Sequence, residues 1–206
     1  MCKHRREISL GFTDQKVPEG SHICYIFNDD EERYNTMVKY LQSGAENNDK
    51  ALYLTDDLSK SDFITKMKQL GLEISNDRKD IVLSEAWLAY CPDGSFSVPD
   101  MLKHVEAFYH LAKGEKYDGA RGTGEMSWAL AEGVVKKGDL MEYEARLTQL
   151  LRKFPCTACC QYDARRFDGA TILDVLKVHP MMVIRGQIYK NPYFIEPEVF
   201  LANMVR

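Results

Sequence analysis

"HICYIFNDDEERYNTMVKYLQSG", His22 to Gly44, opens as an apolar strand over Ile23–Phe27 and continues as an amphipathic helix. Tyr34, Met37, Val38 and Leu41 recur at helical spacing, and Gly44 marks a stop. A strand, loop and helix near the N-terminus of an α/β protein often form a phosphate cradle. Such a cradle needs glycines, because backbone N–H groups must approach the phosphates closely. The connection here is Asn28-Asp29-Asp30-Glu31-Glu32, which has no glycine and four carboxylates. The opening is of a nucleotide-binding type, without the means to hold a nucleotide.

Strand and helix patterns alternate along the rest of the chain. "KALYLTDD" supplies a second strand, Ala51 to Thr55, and Phe63, Ile64, Met67 and Leu70 form a helical stripe closed by Gly71. "DIVLSEAWLAY" reads as a third strand. Ser97 and Pro99 start a helix carrying Leu102, Val105, Phe108, Tyr109 and Ala112. "GARGTGEMSWAL" reads as a fourth strand and "CTACCQYDARRF" as a fifth, separated by a helical face of Leu140, Tyr143, Leu147, Leu150, Leu151 and Phe154. Asp168 caps a shorter helix ending near His179. "MMVIRGQIYKNPYFI" is a pair of strands or one bent strand around Gly186. The alternation predicts one α/β domain, a three-layer fold whose mostly parallel central sheet has helices on both faces and antiparallel strands at its C-terminal end.

The 206 residues are 45% hydrophobic and 28% charged, a globular balance, and the net charge of −4 argues against nucleic acid as a direct partner. No apolar run is long enough to span a bilayer, and Met1 to Asp14 lacks the apolar stretch of a signal peptide, so no membrane partner and a cytoplasmic location are expected. The basic cluster Lys3-His4-Arg5-Arg6 reads as a solvated tail. Six cysteines in a reducing compartment read as thiols.

In open parallel sheets, ligands bind outside the carboxyl ends of the strands. That rule nominates Tyr25, Phe27, Thr55, Asp56, Glu85, Trp87, Glu125, Trp128 and Tyr162 as ligand-binding residues. Apolar rings with a few orienting polar groups suit a small apolar ligand; the same rings also suit plain core. "GTGEMSW" is either a glycine-relaxed strand end or a pocket wall. His22 and Cys24 alternate along a strand and therefore face one side.

Five ordered blocks, "VPEGSHICYIF", "ALYLTDD", "GTGEMSWAL", "YEARLTQLLRKFPCTACCQYD" and "IYKNPYFIEP", resemble those of the MEDS domain, the methanogen/methylotroph sensory domain named after the DcmR repressor. The resemblance covers residues 10–198, leaving a 1–9 tail and a short 199–206 tail. It implies a divergent RecA/KaiC-like fold. It also implies a sensory module for hydrocarbon-derived ligands, of a kind found beside histidine-kinase, PAS or DNA-binding domains. The sequence contains no Walker loop, G-x-x-x-x-G-K-[ST], so no ATP is expected, and Asp56-Asp57 fall where related ATPases carry catalytic carboxylates. In the implied arrangement the first and fifth strands are neighbours. Cys24 then approaches Cys160, and His179 closes a group with His22. Two His and two Cys bind zinc or a redox-active transition metal; buried core thiols are the alternative, and a thiolate–imidazole nucleophile is a weaker one.

These readings converge on a non-catalytic sensory domain that signals to a histidine kinase or transcription regulator. A homodimer is expected, with Phe200, Leu201 and Met204 as candidate contacts. The alternatives are a metal- or redox-responsive regulator and a small enzyme using Asp56, Glu85 and Glu125.

Overall fold

Short strands β1 (Glu7–Ser9) and β2 (Lys16–Pro18) pair antiparallel ahead of the main sheet. The computed structural model describes residues 5–75, 77–136 and 138–204; Cys2, Lys3 and His4 lie outside the described residues. The expectation of a solvated tail up to residue 9 does not hold for Arg5 to Ser9. Arg5 Nη2 donates to the carbonyls of Leu151 (3.1 Å) and Arg152 (2.9 Å), and Arg6 pairs with Glu19 (2.8 Å) and Asp49 (2.7 Å). Guanidinium groups that satisfy helix-end carbonyls and a buried carboxylate hold this segment down.

Strand β3 (His22–Phe27) leads into helix α1 (Asp30–Glu46). The Asp29 carboxylate accepts from the Glu32 N–H at 2.7 Å, and Asp30, Glu31 and Glu32 fill the first turn. A side-chain cap and negative charge at the positive end of the helix dipole explain why the acidic run starts a helix. Gly44 does not stop α1. It sits inside the helix, where an added Cβ would lie 3.0 Å from Arg121 Cδ, so its smallness serves close approach. The stop comes after Glu46, and Asn48 takes a positive φ of 53°.

Strand β4 (Asp49–Thr55), helix α2 (Lys60–Gln69) and strand β5 (Ile81–Glu85) follow. The third expected strand is shorter than its apolar run, because Ala86–Tyr90 coils into the single-turn helix α3. Helix α4 (Val98–Gly114) precedes strand β6 (Gly119–Glu125), which passes through a 3-10 turn at Ser127–Leu130 to helix α5 (Asp139–Leu151). Strand β7 (Cys156–Asp163), helix α6 (Gly169–Val178), strands β8 (Met181–Ile184) and β9 (Gln187–Lys190) and helix α7 (Pro197–Met204) complete the chain. Arg185 and Gly186 both have positive φ, 48° and 68°, the geometry of a tight two-residue hairpin between β8 and β9. Helix α7 lies against α5 and α6, with Gln149 donating to Glu198 at 3.0 Å.

The seven-stranded sheet has the order β5-β4-β6-β7-β3-β8-β9 and is parallel except for β9. Ile23, Tyr25, Phe27 and Tyr53 pack under α1 and α2 on one face; Cys24, Leu54, Cys160 and Tyr162 pack under α3 to α6 on the other. This is the expected three-layer fold.

Strand β6 divides its side chains sharply between the faces. Arg121, Thr123 and Glu125 point toward α1, and Ala120, Gly122 and Gly124 point toward α4. Arg121 is fully buried; its Nη2 lies 2.6 Å from Asp49, and its Nη1 donates to Tyr40 O (3.0 Å) and Ser43 Oγ (2.8 Å). Removing one partner of a buried ion pair leaves the other charge uncompensated. Arg6 still reaches Asp49, which places the expected loss for Arg121→Met at the low end, about 3 kcal/mol. Urea unfolding followed by circular dichroism checks this, and a loss under about 1 kcal/mol, the size of an exposed pair, would contradict it.

Candidate functional site

The small row on β6 leaves an apolar cavity of about 220 Å³ between the sheet and α4. Its floor is two cross-strand rows set by the parallel register: Leu52–Gly122–Ala158 and Leu54–Gly124–Cys160, on β4, β6 and β7. Met101, His104, Val105 and Phe108 of α4 lie above, at helical spacing, with exposed His104 at the rim. Tyr90, Tyr143 and Leu147 close the sides. The two glycines play different parts. A Cβ on Gly124 would come within 2.6 Å of the Tyr90 hydroxyl, so that ring occupies the vacated space; a Cβ on Gly122 would meet nothing within 4 Å. Tyr90 stacks on Trp128 at 4.3 Å between ring centroids, and Phe96 and Tyr143 extend the aromatic cluster.

A buried polar cluster adjoins the cavity through Cys160. His22 from β3, Glu144 from α5, Cys160 from β7 and His179 from the end of α6 bring one ligand atom each to within 4.8 Å of one another. All four are buried. Glu144 Oε2 lies 3.2 Å from His22 Nε2 and 3.5 Å from His179 Nε2, while Tyr162 donates its hydroxyl to Glu144 Oε1. Burial depresses both imidazoles to pKa values of about 3, and it raises the Glu144 carboxyl and the Cys160 thiol.

At the carboxyl ends of the strands, paired charges of the protein line an open cleft of about 460 Å³ beside α1. Glu125 accepts from Tyr53 Oη (2.9 Å) and from the backbone N–H groups of Asp56 (2.7 Å) and Asp57 (2.8 Å). Arg33 Nη1 stands 3.1 Å from both Glu125 and Asp57 but off the hydrogen-bonding axes, so this pairing is electrostatic. Arg33 is sandwiched by the rings of Phe27 (4.6 Å) and Tyr34 (4.3 Å). Arg165 bridges Asp30 (2.9 Å) and Asp163 (2.7 Å), and Arg166 reaches Asp57 (3.2 Å).

Residues 21–180 match the family described as "MEDS: MEthanogen/methylotroph, DcmR Sensory domain". The chain belongs to the MEDS family. It is 26% identical over 159 residues to the transcriptional repressor DcmR of Methylorubrum extorquens (strain DSM 6343 / CIP 106787 / DM4), a match covering 77% of this chain and 57% of that protein. The chain therefore spans little more than half the length of that relative. Two solved structures share its fold at 14% identity. The flagellar accessory protein FlaH of Methanocaldococcus jannaschii gives a TM-score of 0.62 over 94% of this chain and 90% of its own. The KaiC-like protein PH0186 of Pyrococcus horikoshii OT3 gives 0.63 over 86% and 79%. These likenesses establish a RecA/KaiC-type fold, and the family supports a sensory or regulatory role.

The residues nominated from the MEDS sequence do not form one site. Thr55, Asp56, Glu85 and Trp87 line an open polar cleft at the strand ends. Glu125 is the buried hub described above. Tyr25 and Phe27 lie in the α1 core, and Trp128 lies in the opposite core with its indole N–H unpartnered. Tyr162 orients Glu144. None of the nine lines the apolar cavity. Of the four proposed metal ligands, His22, Cys160 and His179 converge; Cys24 pairs with Cys160 in register but turns its thiol to Met181 O at 3.6 Å. Glu144 takes the fourth place. Its signal is in the sequence: a carboxylate inside the apolar stripe of Leu140, Tyr143, Leu147 and Leu151.

Asp56 titrates at about 6, raised by burial first and then by the charges of Glu125 and Asp57, with Arg166 opposing. The unfolded value is about 3.9, so between about pH 4 and about pH 6 the native state holds a proton that the unfolded chain releases. Stability falls as pH rises through that window. Asp56→Asn should match the wild type near pH 4, gain melting temperature up to about pH 6, and hold a constant advantage above it. A difference independent of pH in thermal melts would contradict this.

Proposed function

We propose that this MEDS domain is a non-catalytic sensor in which a small apolar, hydrocarbon-like molecule occupies the cavity beneath α4. The observation that carries the reading is the 220 Å³ apolar space faced by the absent side chain of Gly122. A cavity of about 150 Å³ lined by apolar side chains is enough to hold benzene. A ligand there touches Tyr90 and, through it, Trp128 and the short helix α3, whose exposed Trp87 opens the strand-end cleft. Signalling is a population shift: the ligand biases α3 and α4 only by its different affinity for their arrangements.

A non-catalytic role is supported by Glu125, whose oxygens are taken by Tyr53, Arg33 and two backbone N–H groups. The cap of α1 holds the Asp29 carboxylate where a nucleotide fold would present N–H groups to phosphate, which supports the absence of ATP binding. The cleft of about 460 Å³ at this position is lined by Asp30, Asp57 and Asp163, and its arginines Arg33 and Arg165 are already engaged by those carboxylates. The output is a kinase or transcription regulator, a reading supported by the repressor among its relatives, and a two-fold homodimer is the simplest route to it.

Toluene serves as the probe. It should raise the melting temperature in a concentration-dependent way and change tryptophan fluorescence, whereas Mg-ATP should do neither. Gly122→Val puts a branched side chain into the open space and suits a strand. The free variant should melt at the same temperature or higher, and its response to toluene should vanish. Equal toluene shifts in both proteins would overturn the placement.

A further inference from the structure

We propose that His22, Glu144, Cys160 and His179 form a mononuclear divalent metal site, with zinc the ion that the donor set fits. The argument begins with the hydrogen bonds behind the ligand atoms. His179 Nδ1 lies 2.8 Å from Val175 O, which can only accept, so Nδ1 carries the proton and Nε2 presents a lone pair. His22 Nδ1 lies 2.7 Å from Thr148 Oγ1, whose own hydroxyl donates to the carbonyls of Val178 (3.2 Å) or Glu144 (3.3 Å). The same reasoning gives His22 an Nε2 lone pair. Both lone pairs point at Glu144 Oε2, and Tyr162 has already satisfied Oε1. Imidazoles oriented through Nδ1–H to oxygen acceptors, beside a hydrogen-bonded carboxylate, are the outer support that metal ligands require.

Two lone pairs and a carboxylate oxygen converging in a dry interior need positive charge between them. Without an ion, His22 Nε2 has only the weak donor Cys160 S–H at 3.5 Å, and His179 Nε2 is a buried atom with no hydrogen-bond partner unless Glu144 Oε2 carries a proton. A divalent ion answers both, together with the thiol. Ligand atoms tetrahedrally placed around zinc, with bonds of about 2.0–2.3 Å, lie about 3.3–3.8 Å apart. Four of the six pairs stand at such distances, 3.2 Å (His22–Glu144), 3.5 Å (His179–Glu144), 3.5 Å (Cys160–His22) and 3.6 Å (Cys160–Glu144); the two pairs His22–His179 and Cys160–His179 fall within 4.8 Å, so a bound ion draws the His179 ring inward. On binding, the Cys160 S–H bond and the O–H bond of a protonated Glu144 break, the protons leave to solvent, and metal–sulfur and metal–oxygen bonds form. One thiolate and one carboxylate then neutralise the ion's charge, so the buried unit carries none, as an interior requires. The site ties together β3, α5, β7 and the end of α6, and it stands independently of which ligand the cavity takes.

The test is metal content of the full chain expressed in zinc- or cobalt-supplemented medium and purified without chelator. About one equivalent per chain is expected, and the cobalt form should show tetrahedral d–d bands with a thiolate charge-transfer band. That band should disappear in Cys160→Ser and persist in Cys24→Ser, and zinc affinity should fall at least about tenfold in His179→Gln and Glu144→Gln. Substoichiometric metal in the supplemented wild type overturns the site without recourse to any variant, so a misfolded mutant cannot obscure the answer. A charge-transfer band lost with Cys24 instead of Cys160, or zinc affinity unchanged in both His179→Gln and Glu144→Gln, overturns the assignment.

Discussion

Strand β6 runs through the middle of the sheet with nothing larger than alanine toward α4, and with arginine, threonine and glutamate toward α1. A central parallel strand ordinarily buries apolar side chains on both faces. Here each face needs its own compensation. On the α1 side, Arg121 is met by Asp49 and the α1 backbone, Thr123 donates to Cys159 O, and Glu125 is met by Arg33 and the loop after β4. On the α4 side, missing volume is partly filled by Tyr90 and otherwise remains open. The charged network and the apolar cavity are two faces of one strand.

The consequence for the MEDS fold is a division of labour across the sheet. In a RecA/KaiC-type architecture the N-terminus of the first helix after the first core strand is the natural anion site. In this chain that position is held by Asp29, Asp30 and Asp163, with Arg165 between them and Arg33 behind. The charges of this network are paired, although Arg33 Nε and Nη1 are buried without hydrogen-bond partners and Arg165 and Asp30 are half exposed. The opposite face, by contrast, carries the soft features: a single-turn helix, an aromatic stack without a full complement of hydrogen bonds, and space.

Much of the architecture was legible because hydrophobic period separates strands from helices over long runs, and β3 beside β7 was implied by the family resemblance. Short elements were not. β1 has three residues and no measurable period, and the helical turn at Ala86–Tyr90 is an apolar continuation of β5. The candidate site was half legible. His22, Cys160 and His179 could be grouped only with the strand order that the family resemblance implies, and the direction of the Cys24 thiol depends on a carbonyl of β8. Glu144 hid in a stripe read only for its apolar members. Whether Gly122 is a relaxed strand end or the floor of a cavity depends on what packs above it, and one-dimensional pattern does not contain that. The strand-end rule pointed to the polar clefts because it encodes where phosphates bind, whereas an apolar cavity follows missing side-chain volume.

The unfilled space also has a mechanical meaning. Unfolding lets water into volume that the native chain encloses but does not use, so the unfolded state is the smaller one. A domain with a void between its central sheet and a covering helix is therefore soft toward hydrostatic compression, in proportion to the volume eliminated. An occupant of that void would stiffen the domain by the same measure, and the balance between the two conditions resides in a single hydrogen atom on the α-carbon of Gly122, where other strands carry a side chain.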